Sequence, residues 1–216
     1  MNAQDVVDFL NTHPEFFDEH PDLLAQISVP HPTAGGTISL TERQLHALRD
    51  KLTAVQTKLG ELVGFGEEND VIAEKVHRLT LALLQSESFE TVTGSLYSHL
   101  LEDFAVPHVA LRIWNSILKR PSEEFIEVTE DFRFFAADLH HPYCGLANQP
   151  EVLAWFGEAA KHIQSLALVP LRRDAQVFGM LALGSEDPQR FFPEMGTLYV
   201  ERIGELVGAS LLKHIG

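Results

Sequence analysis

The stretch SLALVPLRRDAQVFGMLALGSEDPQRFFPE, Ser165 to Glu194, decides how the chain folds. An apolar run, Leu166 to Val169, ends at Pro170-Leu171. A polar connection, Arg172 to Gln176, follows, and a second apolar run from Val177 to Leu183 stops at Gly184-Ser185. Two short apolar runs joined by about five polar residues read as an antiparallel hairpin buried on at least one face. Gly179 is expected to mark a bulge or a close backbone approach. Pro188 and Pro193 bracket Arg190-Phe191-Phe192, an aromatic pair placed to plug the base of the next helix.

Outward from the hairpin, a terminal helix is expected from Pro193 to His214. Upstream, HVALRIW alternates Val109, Leu111 and Ile113 with Ala110, Arg112 and Trp114, the period of a strand. Between them, Phe125, Ile126 and Val128 suggest a further strand. Residues 132–139 are aromatic-rich, HHPYCGLANQP reads as a loop, and Val152 to Phe156 as a short helix or strand. Phe89 to Asp103 carries Val92, Leu96, Leu100 and Phe104 on one helical face. An antiparallel sheet with helices gathered on one face, α+β, is the layer solution this order favours.

The N-terminal part is helical and of different character. Asp5 to Leu10 forms a short helix, Thr12 and Glu15 have capping-box spacing, and Phe16, Phe17, Leu23, Leu24 and Ile27 are bulky anchors. A loop, SVPHPTAGG at 28–36, precedes a second capping box, Ser39 with Glu42, which opens a long helix. Its apolar positions Leu45, Leu48, Leu52, Val55, Leu59 and Leu62 alternate three and four apart, the spacing of a coiled-coil seam. The flanking Arg49, Lys51, Gln56 and Lys58 offer a parallel partner no acidic complement, so a dimer would rest on leucine burial. A second copy and the chain's own N-terminal anchors both fit this seam, and short helical arms favour the homodimer. At Gly64-Phe65-Gly66 the pattern slips by three residues, which overwinds a coiled coil. That slip divides an arm, 1–64, from a globular domain, 65–216.

Acidic residues number 31 against 16 basic ones, for a net charge of −15. This balance excludes general nucleic-acid binding and docking on an anionic membrane, leaving Lys119-Arg120 and Arg172-Arg173 as small basic clusters. No apolar run approaches the roughly 20 residues of a bilayer span, and the N-terminus has no basic signal-peptide region. A single cysteine forms no internal disulfide and suits a cytoplasmic protein.

The segment from SLALVPL through VFGMLALGSEDPQRFFPEMG resembles the closing part of GAF domains. VVDFLNTHPEFFDEHPDLL, SLTERQLHALRDKL, the Asn69-Asp70 pair and LALGSEDPQRFFPEMGT together resemble the family called domain of unknown function 484. The resemblance implies a GAF-like domain behind an N-terminal helical region and names no activity. It also implies that residues 132–150 fold over the sheet as a lid on a cavity. Of the motifs of active GAF domains, the N-K-F-D-E string is approached only by Phe16-Phe17-Asp18-Glu19, outside the GAF-like region. The several cysteines of the sulfoxide-reducing type are reduced here to one.

The expected pocket draws on Arg112, Trp114, Phe134, His140, Tyr143, Cys144, Ser165 and Leu181. A guanidinium beside an aromatic plate is a means of holding a planar or anionic small molecule. His140, His141 and Cys144 are metal-ligand types, but a closed zinc site wants four ligands, so no metal and no cofactor are expected. No G-x-x-x-x-G-K-[ST], H-E-x-x-H or G-x-S-x-G motif is present, and no enzyme is expected. The function these residues favour is small-molecule sensing through a helical dimerisation arm. The alternative is a protein-interaction module, with an unidentified protein partner, whose cavity is filled by its own side chains.

Overall fold

The computed structural model describes residues 3–21, 23, 40–114, 116 and 120–215. The loop at 28–36, Leu24, Ile27, Lys119 and the Ser39 half of the second capping box lie outside the described residues. The chain divides into two compact units, Met1–Lys58 and Leu59–Gly216.

In the first unit, α1 spans Ala3–Thr12 and α2 spans Phe16–Glu19. Phe9 stacks on His13 at 4.5 Å and meets Phe16 edge-on at 5.7 Å. The expected Thr12–Glu15 capping box does not form. Thr12 ends α1 and its hydroxyl donates back to the carbonyls of Asp8 and Phe9, which removes it from capping duty. Glu15 is the residue preceding α2 and makes no side-chain cap.

Helix α3 runs unbroken from Leu40 to Gln85, about 70 Å at 1.5 Å per residue. It passes through Gly60, Gly64 and Gly66 as regular helix, although each glycine weakens it by about 1 kcal/mol. The slip at Gly64-Phe65-Gly66 is therefore a change in which face is apolar and leaves the backbone intact.

The second unit is a sheet between two apolar layers. After α3, Ser88 and Thr91 form a reciprocal capping box that opens α4, Phe89–Glu102. Strand β1 is His108–Ile113, β2 is Tyr143–Leu146, β3 is Ser165–Arg173 and β4 is Gln176–Ser185. They pair antiparallel in the order β1-β4-β3-β2. The hairpin is longer than its sequence suggests: Arg173 pairs with Gln176 across a tight turn, and Asp174 takes the left-handed conformation at φ 54°. Strand extension continues through the polar residues because the flanking ladder carries them.

Two expectations for the middle of the chain are corrected. Phe125 lies at the end of a 3-10 turn, Glu123–Phe125, and no strand covers Ile126 and Val128. Conversely, HHPYCGLANQP contains an edge strand, β2, which pairs with Ser165 to Leu168. Helix α5 is Glu130–Asp138, capped by Thr129, and α6 is Pro150–Ala154. The Glu151 carboxylate accepts from the Thr129 backbone and hydroxyl, tying the start of α5 to α6. The terminal helix α7 spans Leu198–Ile215, starting later than Pro193 suggests. Of the aromatic pair before it, Phe191 is buried and Phe192 is exposed.

Strand alternation sorts the two layers. Leu111, Ala167, Val169, Leu181 and Leu183 join Leu79, Leu96 and Leu211 in the layer beneath α3, α4 and α7. Ala110, Trp114, Leu166, Leu168, Met180 and Ala182 join Phe132, Ala136 and Val152 in the layer beneath α5 and α6. The long helices gather on one face, as expected, and short helices close the other.

Gly179 lies close against the β1 backbone. A bulge leaves Phe178 extra, since Leu171 faces Gly179 while Arg172 faces Val177. A Cβ at Gly179 would stand 2.7 Å from the Arg112 carbonyl oxygen, a backbone atom with no freedom to give way. Gly179→Ala should cost about 1–3 kcal/mol, as overpacking does, measured as a lowered urea midpoint with an unchanged slope.

Candidate functional site

The eight residues drawn from the sequence do not meet in one cavity. Trp114 is buried in the α5 layer, where its indole donates to the Val177 carbonyl at 3.1 Å and its ring meets Phe132 edge-on at 6.3 Å. Phe134, two residues along α5 from Phe132, is 74% exposed. The helical period turns one ring inward and the other to solvent. Tyr143 and Cys144 are neighbours on β2 and so project to opposite faces: Tyr143 packs with the α5 layer, Cys144 with the α3–α4–α7 layer. Leu181 belongs to that same helical layer. The Ser165 hydroxyl is buried and donates to the Asp187 carbonyl at 2.6 Å. His140 is exposed and lines a cleft of about 430 Å³ between β3 and α7, with Arg172, Glu201 and Gly204.

The space beneath α5 and α6, where the family resemblance places a ligand, is occupied by side chains. Trp114, Phe132, Leu166, Leu168, Val152 and Met180 are all buried there, with Phe135 and Trp155 packed against them. Burial pushes the Cys144 thiol up from its ordinary pKa, the opposite of what a nucleophile requires. Among the described residues, no three His, Cys, Asp or Glu side chains come together to hold a metal.

Further open space lies at the edge of β1. Arg112 projects there, 5% exposed, with its guanidinium 5.2 Å from the centre of the Trp155 ring and one terminal nitrogen donating to the Leu111 carbonyl at 2.9 Å. Its stacking partner is thus Trp155 and not the neighbouring Trp114. Two open cavities of about 460 Å³ each adjoin it and share Val109, Arg112, Glu123 and Trp155 in their walls. The 3-10 turn Glu123–Phe125 brings two carboxylates to this edge. Glu124 accepts a hydrogen bond from Tyr97 at 2.9 Å, and burial together with Glu124 raises the Tyr97 pKa, so the hydroxyl stays protonated as the donor. Trp155, Glu123 and Glu124 were not legible as site residues, because nothing in their spacing links them to Arg112.

The architecture is an α+β domain, a four-stranded antiparallel sheet with helices on its faces, that follows a long helix. The chain belongs to the family described as protein of unknown function, DUF484, whose profile matches residues 1–215. It is similar to the uncharacterized protein YigA of Salmonella typhimurium, with 26% identity over 224 residues, covering 100% of this chain and 93% of the relative. Similar solved structures include the GAF domain of A. aeolicus nlh2, at 15% identity and a TM-score of 0.48, covering 67% of this chain and 98% of that one. Another is the free methionine-R-sulfoxide reductase of Neisseria meningitidis, at 13% identity and a TM-score of 0.46, covering 65% and 88%. The likeness to each stops at the arrangement of elements. Among the described residues, no helix is long and apolar enough to cross a membrane.

The filled layer makes a paired prediction. Trp114→Ala should destabilise the domain by about 3–5 kcal/mol, whereas Phe134→Ser should stay within about 0.5 kcal/mol of wild type. Equilibrium denaturation of the two variants checks both.

Proposed function

We propose that the protein is a non-catalytic regulatory module that self-associates through α3. The observation that carries this reading is the seam. Leu45, Leu48, Leu52, Val55, Leu59 and Leu62 are each 51–63% exposed along a continuous helix. Six large apolar side chains in a/d spacing on a 46-residue helix are the pattern of a helix awaiting a partner helix. A second copy supplies an identical stripe, and two such stripes bury one another without needing flanking charges.

The filled α5 layer supports association over sensing of a molecule enclosed beneath the lid. In this reading the sheet domain acts through its packing on the C-terminal part of α3, where Leu79 and Leu83 enter the core. The raised pKa and burial of Cys144 fit no thiol chemistry. A single, buried thiol is at home in a reducing cytoplasm, where we place the protein.

Sedimentation equilibrium of the full chain should show a reversible dimer at micromolar concentration. Leu52→Asp combined with Leu59→Asp should give a monomer with an unchanged near-ultraviolet circular dichroism spectrum. A monomeric wild type, or a dimer that survives both substitutions, contradicts the proposal.

A further inference from the structure

Arg112 is the most costly side chain in the domain to keep where it is. It is a cation taken almost wholly out of water, and desolvation of a charge is compensated only by close counter-charges and hydrogen bonds. Its Nε is buried without a hydrogen-bond partner. It contacts one backbone carbonyl and one aromatic face, and among the described residues no carboxylate lies within ion-pair distance. Burial draws its pKa below the ordinary value while Glu123 acts in the opposite direction. The contacts of the folded chain therefore leave this group under-satisfied, in the shared wall of two open cavities.

The surroundings state what would satisfy it. Arg112 offers a planar donor fork suited to a carboxylate. Trp155 offers an aromatic face beside it. Glu123 is exposed and its carboxylate makes no hydrogen bond or close ion pair among the described residues, and Glu124 is held in place by Tyr97. One buried positive charge next to two acidic groups disfavours a dianion or a phosphate, and a simple cation would meet the guanidinium. A molecule with one carboxylate and one ammonium matches both ends.

We propose that the β1 edge is a binding site for a small zwitterion of the amino-acid class. The carboxylate is taken by Arg112, the ammonium by Glu123 with Glu124 beside it, and the body lies along Trp155. Each cavity, at about 460 Å³, falls in the size range of small-molecule sites. The site is built within the second unit from residues that take no part in the seam, and it does not depend on self-association. Its failure and the failure of the association reading are seen in different measurements.

The test is isothermal titration calorimetry of the full chain with each standard amino acid. Succinate is the anion-only control and cadaverine the cation-only control. At least one amino acid should bind saturably while both controls do not. Arg112→Gln should weaken that binding by about thirty-fold or more, as loss of a buried charge partner does. Glu123→Gln, at an exposed position, should weaken it by about fivefold. The second variant keeps the test decisive if the first fails to fold. Absence of binding by every amino acid at millimolar concentration overturns the proposal. So does succinate binding as tightly as any amino acid, or an affinity unchanged by Glu123→Gln.

Discussion

The pairing of β3 with β4 is the contact on which both apolar layers depend. From Ser165 to Val169 and from Val177 to Ser185 every residue is buried, so each strand must supply an apolar or small side chain to both faces. Leu168 and Met180 support the layer under α5 while Val169 and Leu181 support the layer under the long helices. Losing the ladder would remove a wall from both cores at once. The small residues serve the same constraint. Gly179 lets β1 come within reach of β4, and Gly204 on α7 faces Val169 where a Cβ would overlap it.

This double burial is also why the hairpin was legible in the sequence. A strand covered on both faces reads as a continuous apolar run, and two such runs either side of a polar turn leave few alternatives. Helix α4 was legible for a related reason, since Val92, Leu96 and Leu100 share one face and all are buried. The middle of the chain was not. Strand β2 has four residues and contains Gly145, too short for a period to show. Phe125 is drawn to Phe89, at 5.1 Å between ring centres, by packing from a 3-10 turn, a tertiary contact that no local pattern encodes. The site was legible only in part. Arg112 was found from its place on β1, but its true neighbours arrive from the 3-10 turn and from the end of α6. Cys144 and Leu181 were assigned to a cavity because of what they are, and the alternation of their strands sends them to the opposite layer.

The polar edge of the domain follows from the same architecture. With β4 and β3 at the centre, β1 and β2 are left as edges, and the β1 edge is closed by side chains, a 3-10 turn and an arginine instead of another strand. Arg112 donating to the Leu111 carbonyl covers part of that edge, one of the ways a sheet margin is protected from adding a further strand. The arm obeys a different logic. Its seam is apolar among mostly polar neighbours on α3 between residues 45 and 62, and in the proposed reading a second copy covers it.

The dependence of the domain on the β3–β4 ladder is tested most directly by native-state hydrogen exchange resolved to individual amides. The amides of Leu168, Val169, Leu181 and Ala182 should exchange only through global unfolding, with free energies equal to that from denaturant melts and the same denaturant dependence. Exchange of these amides through a smaller opening, while α4 and α7 stay protected, would contradict the account.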